Sequence, residues 1–284
     1  MAVDRPRRPA PVGARGGLVL AILIAFAWAV WQLELDFAAL FPSGARLTIL
    51  GDFFLGALTP DVSSLALSEM LRAVWNTVVF ATAAMTLALL MGIVLGFLSS
   101  TAWWSEDGAA KGNTCVTCLR CTICPAVYVF ARLFIALFRS IHELFWAVLF
   151  LVAMGVNPFS GVLAIAIPYG CTLAKIFSEM VDEAPRESAT ALRAAGASAM
   201  QVYCFGLVPR ALPDITAYAF YRFECTLRSA AILGFFGFET LGYFIKGAFQ
   251  DTDYGQTWTF LYALLALVIA ADWWSGAFRR SFAQ

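Results

Sequence analysis

Apolar residues fall in long runs that charged residues almost never interrupt. Residues 73–98 contain no charge at all, and residues 17–31, 159–177 and 258–278 read in much the same way. A run of this kind, about 20 residues long, has the length of a helix that crosses a hydrocarbon layer of ~30 Å at ~1.5 Å per residue. Residues 125–154 exceed what one crossing needs and carry Arg132, Arg139, His142 and Glu143. This pattern predicts a lead-in, a break near Ser140 and a shorter span. Residues 215–236 give a further span despite three charges. Runs of this length and apolarity are read as membrane-crossing helices, so the expected class is all-α with about six membrane spans.

The polar segments between these runs alternate in charge. Residues 1–16 hold Arg5, Arg7, Arg8 and Arg15; residues 101–122 hold Lys111 and Arg120; residues 178–212 hold Arg186, Arg193 and Arg210; and the last run ends on Arg279 and Arg280. The intervening segments are acidic: Glu34, Asp36, Asp52, Asp61 and Glu69 against Arg46, then Glu239, Asp251 and Asp253. Six spans place every basic segment on one side, as basic flanks require of an inner face. Both termini are then expected in the cytoplasm, with the chain multi-pass in its membrane. The organisation read this way is a disordered tail over 1–16, an anchor helix over 17–32, an outer region over 33–70 that includes a short interfacial helix, and a membrane domain over 71–278 with a cytoplasmic loop over 182–212. Glu34-Leu35-Asp36 follows the first run where a cleavage site would need small residues, so that helix is expected to stay as an anchor.

Composition sharpens this in one direction. Charged residues are 13% of the chain, against about 25% in soluble domains, so much of its solvent is lipid. The net formal charge is zero, and no basic stripe suggests nucleic acid. No Gly-x4-Gly-Lys-Ser/Thr loop is present, so ATP hydrolysis is not expected of this chain. The single histidine, His142, lacks the second histidine of a zinc hydrolase helix, and there is no Gly-x-Ser-x-Gly elbow. Catalysis is therefore not expected.

Two groups of residues invite chemistry. Cys115, Cys118, Cys121 and Cys124 repeat every third residue. Four thiolates could hold zinc or an iron–sulfur cluster, yet the last spacing is one residue short of the ferredoxin run, and a helix would spread the sulfurs along a drifting stripe. Packing thiols are the simpler expectation, and a membrane metal or redox protein built on this ladder is the reading of another class. The second group is Arg222, Glu224 and Arg228 in the fifth span. Glu224 and Arg228 are four apart and can pair on one face, while Arg222 lies ~200° round from Glu224. These charges either pin helices together or line a path for an oxyanion, whose oxygens a guanidinium matches bidentately.

The loop Thr190-Ala191-Leu192-Arg193-Ala194-Ala195-Gly196, with Pro209 after it, carries a resemblance. ABC importer permeases have a cytoplasmic Glu-Ala-Ala, three residues, Gly, then nine residues, an aliphatic, one residue and Leu-Pro. Gly196 and Pro209 stand at that spacing; Ala191 fits, Leu192 replaces the second Ala, Val208 replaces Leu, Thr190 replaces Glu, and Gly206 stands where an aliphatic belongs. Two further blocks, Arg139-Ser140-Ile141 with Glu143-Leu144-Phe145-Trp146-Ala147 and Tyr221-Arg222-Phe223-Glu224-Cys225-Thr226-Leu227-Arg228, are similar to the phosphonate-permease group. His142 stands where that group often has Pro.

The resemblance covers residues 71–278. It implies a type I importer permease fold with five core helices plus the extra N-terminal anchor, paired as a homodimer or heterodimer. It also implies two ABC ATP-binding subunits in the cytoplasm, which hold the ATP and Mg, and a periplasmic or extracellular solute-binding protein. No cofactor is expected in this chain. The segment 190–198 is then the helix that docks on the ATPase, with Gly196 turning the chain behind it and Pro209 restarting it. The implied solute is a phosphonate or related phosphorus oxyanion. A different solute is the alternative, because Gly237-Phe238-Glu239-Thr240-Leu241-Gly242 replaces a glycine-rich run near the expected outer mouth.

Overall fold

The computed structural model describes residues 14–34, 44–102 and 114–282, with side chains described over 16–34, 44, 46–102 and 126–278. The tail expected over 1–16 lies largely outside these residues. Everything regular among the described residues is helical. The chain forms two compact units, residues 1–54 and 55–284.

In the first unit, α1 (Ala14–Gln32) is apolar around its whole circumference, with Leu18, Ile22, Phe26 and Trp28 all exposed. Its apolar stretch Gly16–Gln32 is short for a membrane crossing. A second helix, α2 (Ala45–Gly56), occupies the region read as the outer segment.

The second unit is built on α3 (Ser64–Ser99), α4 (Thr114–Ser140), α5 (Glu143–Met154), α6 (Pro158–Glu183), α7 (Glu187–Ala194), α8 (Val208–Ile232), α9 (Leu241–Gln250) and α10 (Tyr254–Phe282). Its axis is the pairing of α3 with α6. The buried face of α3 repeats small residues at helical spacing: Ala73, Thr77, Ala81, Ala84, Ala88, Gly92 and Gly96. Such a stripe lets two backbones approach closely, which is how helices gain dispersion contacts where lipid removes the hydrophobic driving force. A Cβ on Gly92 would stand 2.8 Å from the Leu173 Cβ of α6. Around this axis Trp146, Ile165, Tyr169, Phe177, Leu227 and Phe238 join one core.

Among the described residues, three helices, Ser64–Ser99, Pro158–Glu183 and Tyr254–Phe278, are long and apolar enough to cross a membrane. Ala126–Ser140 and Glu143–Met154 are apolar enough only as a pair, and they are bent by 89° at the break between them, the shape of a broken span or of a re-entrant loop. The break expected near Ser140 thus falls between Ser140 and Glu143. His142 caps α5 by accepting the Leu144 N–H on Nδ1 at 3.3 Å. The 25-residue α8 is long enough to cross but carries Arg210, Asp214, Arg222, Glu224 and Arg228, so it depends on neighbours rather than on apolarity.

Candidate functional site: a loop helix and a polar face behind it

The polar loop between α6 and α8 holds a short helix where the sequence places one, with shifted ends. α7 begins at Glu187 and stops at Ala194. Its C-terminus is closed by Gly196 at φ +83°, a conformation that favours glycine. The Gly196 N–H donates to Arg193 O and the Ala197 N–H to Leu192 O, the paired bonds of a Schellman stop. Two residues later Ser198 starts a new turn with a reciprocal capping box to Gln201. The chain then makes a π-helical turn, Val202–Leu207, before α8. The Val208 N–H donates to Tyr203 O, five residues back, and Pro209 sits in the first turn of α8 with no N–H to place.

Gly206 explains its own departure from the expected aliphatic. A Cβ there would meet Leu192 Cδ1 at 3.1 Å and Ala189 Cα at 3.4 Å, so a bare Cα lets α7 lie against the π turn. Leu192 is partly buried in the small core formed by Val181, Ala184, Ala189, Val202, Tyr203 and Leu207. Thr190 and Ala191 face outward, and the Thr190 hydroxyl donates to Arg186 O at 2.9 Å. Gly196 and Pro209 are exposed as well. The five loop residues therefore divide: Leu192 anchors the helix, and the others leave a small, accessible surface.

Asp182, at the C-terminal end of α6, is the hub of this end of the molecule. It accepts the Ser100 hydroxyl at 2.6 Å and the Thr101 and Ala102 N–H groups at 2.9 Å each, and lies 3.8 Å from the Arg132 guanidinium. The ends of α3 and α6 are thereby tied to each other and to the interior of α4 beside the loop. Burial, with the Asp182 charge adding to it, pushes the nearby Tyr203 hydroxyl up to about 12, so that tyrosine is neutral at any physiological pH.

The three charges of the fifth span separate as helical geometry requires. Glu224 and Arg228 pair at 3.1 Å, the carboxylate largely buried and the guanidinium half exposed. Arg222 turns away: its Nε donates to the Tyr218 hydroxyl at 3.0 Å, and its guanidinium stands over the rings of Tyr169 and Tyr218, 5.1 and 5.6 Å from their centroids. Tyr169 continues into a chain with no sequence precursor. Its hydroxyl is 2.8 Å from Ser229 Oγ, which donates to Glu143 at 3.0 Å. Three helices thus meet in one polar line behind the α4–α5 break. Only a three-dimensional arrangement reveals it, because the partners are 60 and 86 residues apart.

At the opposite end, the altered run is mostly structural. Phe238 is buried and packs edge-on against Phe80. The Thr240 hydroxyl donates to Ala231 O, and the Leu241 N–H donates to Thr77. Glu239 remains exposed but is paired with Arg72 at 2.7 Å. The cysteine ladder lies where the backbone of α4 is helical, but its side chains fall outside the described residues.

The second unit is thus a bundle built on small-residue helix contacts, with one pair of helices bent at a break and a polar loop presenting a short helix. Residues 124–284 match the family model "Binding-protein-dependent transport system inner membrane component", and the chain belongs to that family. It is 29% identical over 229 residues to the phosphite transport system permease protein PtxC of Stutzerimonas stutzeri, covering 80% of this chain and 75% of that one. It is 28% identical over 262 residues to the putative phosphite transport system permease protein HtxC of the same organism, covering 92% and 84%. The phosphate-import permease protein PhnE of Mycolicibacterium smegmatis is 27% identical over 219 residues, 77% of this chain and 36% of its own length. Among solved structures, the inward-facing MetNI methionine ABC transporter aligns with a TM-score of 0.62 at 20% identity, covering 78% of this chain and all of that one. An amino acid ABC transporter follows at 0.60 and 18%, covering 78% of this chain and 99% of that one. The fold is that of an ABC importer permease, and the chain is a permease subunit of this class.

Proposed function

We propose that this chain imports a phosphorus oxyanion, a phosphonate or phosphite, in a dimeric permease driven by two ABC ATP-binding subunits and fed by a solute-binding protein. The single observation that carries the coupling half of this reading is the loop helix α7, short, largely outward-facing and closed at its C-terminal end by the Schellman stop at Gly196, with the Ser198 capping box starting the next turn. A rigid element of small residues is what a partner's groove can grip and push. The loop then lies in the cytoplasm, with both termini on that side, and ATP and Mg belong to the partner. Closure of the ATPases would displace α7, and Asp182 with the π turn would pass the displacement to α3, α4 and α8.

The solute half rests on relatives named for phosphite and phosphate import. The pairing of Glu239 with Arg72 supports the same reading, because that carboxylate then no longer presents an uncompensated negative charge to an approaching anion. The test is uptake into proteoliposomes holding the complete transporter and its binding protein. Phosphite or methylphosphonate should be accumulated in an ATP-dependent way, and phosphate less well. Uptake of none of the three, with ATPase activity intact, would point to another solute.

A further inference from the structure

One face of α4 is unlike the rest of that helix. Tyr128, Arg132, Ile135 and Arg139 recur at i, i+4, i+7 and i+11, so they share a stripe. Ile135 is buried with Cys171 and Ala174 of α6, which seats the stripe against that helix. Beside this contact is a cavity of 340 Å³ lined by Tyr128, Arg132 and Arg139 of α4, Lys175 and Ser178 of α6, and Ser99 at the end of α3. That volume falls in the range of small-ligand pockets, roughly 300–1,000 Å³. The remaining wall is apolar.

Three cations thus face one cavity whose wall is otherwise mostly apolar. Like charges in such surroundings are costly unless carboxylates or an anion answer them. Two are answered in part: Lys175 pairs with Glu179, and Arg132 donates to Ser99 O at 3.2 Å, lies 3.8 Å from Asp182 and stacks over Tyr128. Arg139 has neither a hydrogen bond nor an ion pair among the described residues. The two serine hydroxyls already donate to the carbonyls of Gly96 and Lys175, so the donors left at the cavity are Arg139, the Tyr128 hydroxyl and those N–H groups of the Lys175 ammonium that Glu179 does not take. A planar guanidinium with a second cation and a phenol nearby is a donor set for a tetrahedral oxyanion. The cavity also sits at the loop end of the bundle, since Ser99 closes α3 and Ser178 lies in the last turns of α6.

We infer that this cavity binds a phosphate-type oxyanion at the loop end of the permease, through Arg139 and Lys175. The anion is either the solute at a late station of its passage or the headgroup phosphate of an anionic lipid, whose chains the apolar wall would accept. The solute source rests on the oxyanion reading given above; the lipid source does not.

The experiment uses the full-length chain in nanodiscs. In phosphatidylcholine discs, inorganic phosphite is titrated; in discs mixed with phosphatidylglycerol, retention of each lipid is followed by native mass spectrometry. If the solute is the source, phosphite binds and Arg139→Gln weakens it by about tenfold or more, as loss of a charge-assisted bond implies, with Arg139→Lys intermediate. If lipid is the source, phosphite does not bind, phosphatidylglycerol is retained over phosphatidylcholine, and Arg139→Gln removes that preference. Lys175→Gln should act in the same direction in either arm and stands in should Arg139→Gln fail to fold. The inference is overturned if wild type shows neither binding nor preference, or if the variants match wild type in both arms. Wild-type proteoliposomes that take up no phosphorus oxyanion, while Arg139-dependent binding persists, would sink the functional reading and leave this site standing.

Discussion

Gly196 shows how much one residue can decide. Its φ of +83° closes α7 and aims the chain toward the Ser198 turn. A side chain in this left-handed conformation costs ~1–2 kcal/mol, yet a Cβ there would meet nothing within 4 Å. The penalty is therefore conformational, and it is concentrated in the loop. Gly196→Leu should leave membrane insertion intact while ATP-driven uptake falls severalfold, and the ATPase should associate more weakly. Wild-type uptake and ATPase association by the variant would remove the docking role. Arg222 makes a different point. Its charge was legible, and its direction away from Glu224 followed from helical spacing. Its seat over Tyr169 and Tyr218 was not, because Tyr169 belongs to another helix.

At the scale of elements, the apolar runs foretold the helices well, and the ends less well. The sequence places the loop helix at 190–198, whereas α7 runs from Glu187 to Ala194; α8 begins at Val208, inside the polar loop. Helix ends depend on capping and on which N–H groups find acceptors, and the π turn ahead of Pro209 is such a local settlement. The junction of α8 and α9 is stricter. A Cβ on Gly242 would lie 2.2 Å from Ala231 O, and one on Gly234 would lie 2.1 Å from the Tyr243 nitrogen. Both obstacles are backbone and cannot rotate aside. Gly242→Ala should force the two segments apart and cost several kcal/mol, in the upper range for single substitutions. The expected readout is a markedly lower melting temperature and yield in detergent, with Gly247→Ala, which meets open space, as the neutral control.

For the whole molecule, Asp182 joins the bundle to the loop. Removing its carboxylate leaves the Ser100 hydroxyl, two backbone N–H groups and a nearby guanidinium without their shared acceptor. The part-buried donors among them, the Ser100 hydroxyl and the Ala102 N–H, cost up to ~1–3 kcal/mol each when so abandoned. Asp182→Ala should lower thermal stability clearly more than Ser100→Ala, and should uncouple ATP hydrolysis from uptake in whatever protein still folds. Equal, small effects of the two would mean that the hub is not the link between loop and spans.

Hydropathy and charge alternation determined by themselves that the chain is helical and resides in a membrane, because the exclusion of charge from lipid is written directly into composition. Gly196 and Pro209 likewise marked a stop and a restart within the polar loop, because a left-handed turn and a missing N–H are local demands, but not the residues at which α7 ends and α8 begins. Only the tertiary structure decided what the buried polar groups meet. Asp182 with Ser100, Arg222 with Tyr169, Ser229 with Glu143, and the cations around the α4–α6 cavity are pairings between helices, and no period along one helix encodes the rotation of its neighbour.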